Sequence, residues 1–198
     1  IPLAFSQFSY DQNSKTIIEG VRSQYNLEFS HPINVKRKLI YTSYAYEAFL
    51  QTYITQSIDA DSELKEIFLN NSRMEWLGNE VMCGVGMRRI DIMLMATNAE
   101  TNKRILIPME LKSTTIYPEI TEQIGRYLRW IKQYFQPIPD IIEPTIIVKK
   151  TNRKTKRYLK SIEALKKFNE TYICKIKYVT YYIDDTNLRF EEIDYEND

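Results

Sequence analysis

The stretch from Met87 to Tyr127, MRRIDIMLMATNAETNKRILIPMELKSTTIYPEITEQIGRY, constrains this chain more than any other. Two runs of alternating apolar residues, Arg89 to Met95 and Arg104 to Lys112, flank a polar segment containing Thr97, Asn98 and Asn102. A period of two on either side of turn-forming residues predicts two antiparallel strands joined as a hairpin. The first carries Asp91 between Ile90 and Ile92, and the second carries Glu110 and Lys112 on either side of Leu111. Successive strand residues point to opposite faces, so Glu110 and Lys112 share one face while Met109 and Leu111 take the other. A register that sets Asp91 opposite them gathers two carboxylates and a lysine at one point.

That grouping suits a hard cation. Asp and Glu oxygens fit Mg²⁺ or Mn²⁺, and Mg²⁺ is typically held by one or two carboxylates plus a substrate phosphate. Such an ion generates hydroxide near neutral pH and neutralises charge on a phosphodiester, and Lys112 is placed to orient or deprotonate the attacking water. On spacing alone the plainer reading is stronger: Asp91 ends a strand, and Glu110 with Lys112 is a same-face ion pair on a solvated sheet, because Glu-x-Lys is common by chance.

The remaining composition mostly excludes. A chain of 198 residues, 43% hydrophobic, buries one good core or one plus a small appendage, and its formal net charge of +1 announces no partner by itself. Cys83 and Cys174 are too few for a disulfide framework and sit in apolar runs, which predicts a reduced, cytoplasmic compartment. No run is long and apolar enough for a membrane span, and no signal peptide is recognisable. A single histidine, His31, rules out a His-rich zinc site or a two-histidine mechanism. No GxxxxGK[ST] or GxGxxG element occurs, which argues against a nucleotide-driven enzyme.

In the order Asp91, hairpin, Glu110-Leu111-Lys112, then a helix bearing Gln123 and Tyr127, the chain resembles the PD-(D/E)XK nuclease superfamily. The Gln-x-x-x-Tyr element resembles its RecB-like branch, and within that branch the likeness is closest to the NucS (EndoMS) type of mismatch-specific or branched-DNA endonuclease. It spans Ser62 to about Ile183. The resemblance implies a restriction-endonuclease-like α/β core, a central mixed sheet flanked by helices, that hydrolyses DNA with Mg²⁺ or Mn²⁺. It implies Asp91 and Glu110 as metal ligands and Lys112 as the water-activating residue. Gln123 would bind a metal-bound water or a phosphate, and Tyr127 would position its neighbours. Glu63, at a helix start, matches the family's further acidic residue near the metal; it is equally read as complementing the helix dipole. Arg89 matches the family's arginine and is a DNA-contact candidate. Arg88 stands where the family carries glycine, and the Asp91 to Glu110 interval is longer than usual. A sequence-specific restriction enzyme, a junction resolvase, or a non-catalytic nucleic-acid-binding module of the same fold are the alternatives.

Around this centre the chain divides into an N-terminal extension, residues 1–60, and a nuclease domain, 61–198. The extension mixes aromatics such as Phe5, Phe8 and Phe29 with turn formers, and is read as short strands and loops that bind DNA or form a homodimer. Tyr44 to Gln56 has helical spacing, with Glu47 read as a solvated helix residue. A second helix opens at Asp61-Ser62 and ends at Asn70-Asn71, and Met74 to Cys83 reads as the first core strand, with Glu80 a weaker acidic candidate. The helix from Tyr117 buries Ile120, Ile124, Tyr127, Leu128, Ile131 and Phe135 and turns Arg126 outward. After a strand at Thr145 to Val148, Lys149, Lys150, Arg153, Lys154, Lys156 and Arg157 form a basic run, read as a loop and helix start that contact DNA phosphates. A helix to Lys167 and a strand from Tyr172 to Ile183 follow. The acidic tail beyond Asp184 is read as frayed, and no sliding-clamp-binding peptide is recognisable in it.

Overall fold

A computed structural model describes residues 8–11, 16–19, 47–84, 88–172, 174–184 and 187–197. The chain separates into two compact units, Ile1–Asn34 and Val35–Asp198. In the first, β1 (Phe8–Asp11) pairs antiparallel with β2 (Thr16–Glu19). Phe5, Phe29 and His31 lie outside the described residues.

The second unit is mixed α/β. In chain order it contains α1 (Glu47–Ser57), α2 (Ser62–Leu69), β3 (Ser72–Met82), β4 (Arg89–Asn98), β5 (Arg104–Lys112), α3 (Ile120–Tyr134), β6 (Ile141–Ile142), β7 (Thr145–Lys149), α4 (Lys156–Tyr172), β8 (Lys177–Asp184) and β9 (Asn187–Glu192). Seven strands make one sheet in the order β3-β4-β5-β7-β8-β9, with β6 pairing beside β7 on β5. The pairs β3-β4, β4-β5 and β8-β9 are antiparallel, whereas β5-β7 and β7-β8 are parallel. Each parallel pair is connected through a helix, α3 and then α4, as a parallel crossover requires.

The hairpin that joins β4 to β5 closes as its polar residues predict. Asn98 Oδ1 accepts from the N–H groups of Glu100 and Thr101, and Asn102 takes the left-handed backbone. Helix α2 starts where an Asp N-cap predicts it: Asp61 Oδ1 accepts from the N–H of Glu63 and of Leu64, and Asp61 Oδ2 accepts from the Tyr53 hydroxyl.

Both faces of the sheet are covered, which accounts for the nearly continuous apolar run in β4. Ile92, Leu94, Ala96, Ile107, Met109 and Leu111 pack under α1 and α2; Met93, Met95, Leu106, Ile146 and Val148 pack under α3 and α4. On the second face the two helices approach closely at Gly125, where an added Cβ would stand 2.9 Å from the Tyr172 hydroxyl. No described helix is long and apolar enough to cross a membrane.

Three boundaries differ from the sequence reading. The division at 60/61 would part α1 from the mixed α/β unit, yet Leu50, Tyr53, Ile54 and Ile58 are buried in the core with α2. Helix α4 runs on to Tyr172, so β8 begins only at Lys177. The tail is not frayed over its described length: β9 pairs with β8, and Leu188, Phe190, Ile193 and Tyr195 are buried.

Candidate active site

In the β4-β5 ladder the last paired rung is Ile92 with Met109. One residue further, the same register puts Asp91 opposite Glu110, and there the strands part. The Leu111 N–H is taken by Asp91 Oδ2 at 2.7 Å, so the site's carboxylate replaces a ladder bond. Lys112, on the same face as Glu110, places Nζ 2.6 Å from Glu110 Oε1. The Tyr127 hydroxyl, from α3, donates to Glu110 Oε2 and stands 2.8 Å from the Arg89 carbonyl oxygen. Glu110 is 1% exposed, so a buried carboxylate is held between an ammonium and a phenol.

Helix α1 reaches the same point. Glu47, in its first turn, sets Oε2 3.5 Å from Lys112 Nζ. Gln51, one helical turn on, donates to the Asp91 carbonyl at 2.6 Å and to Glu80 Oε1 at 3.3 Å. Glu80 stands opposite Asp91 between the paired rungs Asn79–Ile92 and Val81–Ile90. Its φ is +50°, a left-handed conformation uncommon for a residue with a Cβ, and it also accepts from Arg89 at 3.0 Å. The unusual backbone beside Asp91 thus belongs to Glu80, across the ladder.

The electrostatics follow from burial and crowding. Burial first, and then the charge of Glu110, push the Asp91 carboxyl up to about 7, against the opposing pull of the Leu111 N–H and Lys112. Burial works against the Lys112 ammonium, but the Glu110, Glu47 and Asp91 carboxylates outweigh it and hold Lys112 above the ordinary lysine value. Burial and Glu110 raise the Tyr127 hydroxyl, which is therefore a donor and not a base.

Asp91 and Glu110 repel one another from adjacent strands, and a hard divalent cation relieves such repulsion by replacing the proton on Asp91. Among the described residues no three His, Cys, Asp or Glu side chains form a ready-made metal cluster. Mg²⁺ needs none, since waters and a substrate phosphate complete a shell begun by one or two carboxylates. The donor set therefore fits Mg²⁺ or Mn²⁺.

Of the residues expected from sequence, Asp91, Glu110, Lys112 and Tyr127 come together. Gln123 does not join them: its Oε1 accepts from the Tyr117 hydroxyl at 3.1 Å. Glu63 is elsewhere. Arg189 Nη1 at 2.9 Å and the Phe190 N–H at 2.7 Å hold its two oxygens against β9, and Glu47 is the helical acid that reaches Lys112 instead. Arg89 is half exposed and paired with Glu80, and Arg126 is partly buried in a surface cleft with Arg129, Phe168 and Tyr172.

The basic run splits in two. Lys150 Nζ lies 2.6 Å from Glu191 Oε2, and Arg153 lies 4.0 Å from the same carboxylate's other oxygen. Lys156 and Arg157 line a different cleft, with Lys160 and Tyr117. Lys149 and Lys154 are exposed. Gln51 and Tyr117 carried no sequence signal, since an unremarkable helix glutamine and a tyrosine before proline become site neighbours only through tertiary packing. No family model matches the chain, and none of the curated proteins matches it.

Proposed function

We propose that this chain is a divalent-metal-dependent nuclease that hydrolyses DNA phosphodiesters on a restriction-endonuclease-like core. The observation that carries this reading is the meeting of Asp91, Glu110 and Lys112 where β4 and β5 part. Buried groups of opposite charge clustered in this way are costly to maintain, and catalytic sites are where such clusters concentrate. A central mixed sheet flanked by helices, the coarse architecture this reading requires, supports it.

In this proposal Asp91 and Glu110 hold Mg²⁺ or Mn²⁺, which supplies charge neutralisation and an activated water. Lys112, kept protonated by three carboxylates, acts as a fixed positive charge toward the phosphate oxygens and orients the nucleophile; it does not take its proton. Glu47 and Tyr127 fix Lys112 and Glu110, and Gln51 fixes the backbone of Asp91. The substrate classes this serves are mismatched, flapped or branched DNA, and cutting both strands calls for two copies of the site.

The test is cleavage of labelled linear, mismatched, flapped and junction DNAs with and without Mg²⁺. Asp91→Ala, Glu110→Gln and Lys112→Ala should each slow single-turnover cleavage about a hundredfold or more, the scale on which removal of one charge-stabilising group acts. Metal-independent cleavage, or full activity in Glu110→Gln, would sink the proposal.

A further inference from the structure

Tyr117 connects the acidic centre to a second feature. Its hydroxyl donates to Gln123, and Lys112, Glu110 and Glu47 all lie near enough to bear on its ionisation, though burial is the larger influence. Its ring forms one wall of a cleft of about 520 Å³ whose other lining residues are Pro118, Glu119, Lys156, Arg157 and Lys160. The Arg157 guanidinium stands 5.7 Å from the ring centroid, at the loose end of a cation–π contact.

The charges on this cleft differ in kind from the rest of the basic run. Glu191 neutralises Lys150 and Arg153. Among the described residues no carboxylate pairs with Lys156, Arg157 or Lys160, although Glu119 is the one acid on the same wall. Three cations around an aromatic ring form a concave surface that attracts phosphate and offers a π-face at once. Strands with unstacked bases use this combination, whereas a duplex keeps its bases stacked inside and presents only phosphates. The volume falls within the range of clefts that bury a small ligand, enough for one nucleotide.

We infer that this cleft is a nucleotide subsite for single-stranded nucleic acid, in which a base stacks on Tyr117 and its flanking phosphates lie on Lys156 and Lys160. The inference rests on the nuclease reading for its biological sense and deepens it: the strand entering the Asp91–Glu110–Lys112 centre is unpaired next to the reacting phosphate. Arg157 leaves the ring for a phosphate when a base arrives.

Binding is measured without cleavage, by fluorescence anisotropy in EDTA, using a labelled oligothymidylate and a duplex of matched length. Lys156→Gln with Lys160→Gln should flatten the slope of log affinity against log salt for the oligothymidylate by roughly 1.4, two single-strand phosphate contacts. Tyr117→Leu should weaken oligothymidylate binding roughly tenfold at constant salt slope, the scale of one base–aromatic stack, and leave the duplex unchanged. Tyr117→Phe keeps the ring and should keep the preference for oligothymidylate over duplex, and Lys150→Gln with Arg153→Gln, already facing Glu191, should cost less affinity than the Lys156/Lys160 pair.

Equal losses for oligothymidylate and duplex, an unchanged affinity in Tyr117→Leu, as large a loss in the Lys150/Arg153 pair, or no binding by wild type each overturn the inference. Should Tyr117→Leu fail to fold, Tyr117→Trp keeps a ring. Its added indole fluorescence must be quenched by the oligothymidylate, and an unquenched signal overturns the subsite. Intact binding with no cleavage on any DNA refutes the nuclease and supports the subsite, whereas cleavage without this binding pattern refutes the subsite alone.

Discussion

Asp91 is under opposing demands. Its Oδ2 secures the backbone of β5 through the Leu111 N–H, which favours the carboxylate, but burial and Glu110 raise its pKa from the ordinary 3.8 to about 7. A folded-state value above the unfolded one means that the fold binds the proton more tightly. The stability linked to that proton is fully present below about pH 4 and is lost as pH rises through 7. Asn keeps an acceptor for Leu111 and carries no charge. Asp91→Asn should therefore stabilise the metal-free protein at pH 8 by up to about 4 kcal/mol, the rise from 3.8 to about 7 being worth about 1.4 kcal/mol per pH unit, with a smaller gain at pH 5. Urea denaturation at the two pH values measures it, and a larger gain at pH 5 would contradict the burial of this group. That Asp91, Glu110 and Lys112 meet was legible in the sequence because strand alternation and a hairpin register are local properties, whereas reading them as a site rested on the family resemblance. Glu47 was not, because an acid in the first turn of a helix reads as solvated until packing brings that turn to the lysine.

Among the elements, β9 shows where local reading fails. Leu188 and Phe190 alternate as a strand should, but acids flank them, and the acidic composition of the tail concealed the period of two. Pairing with β8 and the arrival of Glu63 from α2 are long-range facts that no window along the chain contains. Removing the chain after Asp184 would expose the neighbours of four buried side chains, Leu188, Phe190, Ile193 and Tyr195, each worth roughly 1.5–3 kcal/mol. The truncated protein is expected to be unfolded or molten, seen as loss of near-ultraviolet dichroism. Glu63→Ala should act on the same element more gently. It leaves the Phe190 N–H without its carboxylate and should destabilise by about 1–2 kcal/mol with cleavage per folded molecule unchanged. Glu47→Gln should show the reverse, slower cleavage at nearly unchanged stability, and equal activity losses in both variants would restore Glu63 to the site.

Across the whole molecule, the groups proposed for chemistry gather at one end of the central sheet. Lys112 ends β5, Lys149 ends β7, α3 and α4 begin just after them, and Asp91 lies at the antiparallel start of β4. The ends of parallel strands are where open α/β sheets place their ligands. The described core residues beneath that end all belong to the second unit. Residues 35–198 expressed alone should therefore unfold cooperatively on heating, and a non-cooperative melt would contradict a self-sufficient core in that unit.

The parting of β4 and β5 at Asp91 also has a spectroscopic consequence. The Leu111 amide belongs to the sheet by position but is held by a side chain, so its proton resonance and its exchange with solvent report on the state of that carboxylate. A cation or a proton drawing on Asp91 Oδ2 is thereby written onto one backbone amide, which makes the centre observable in the absence of turnover.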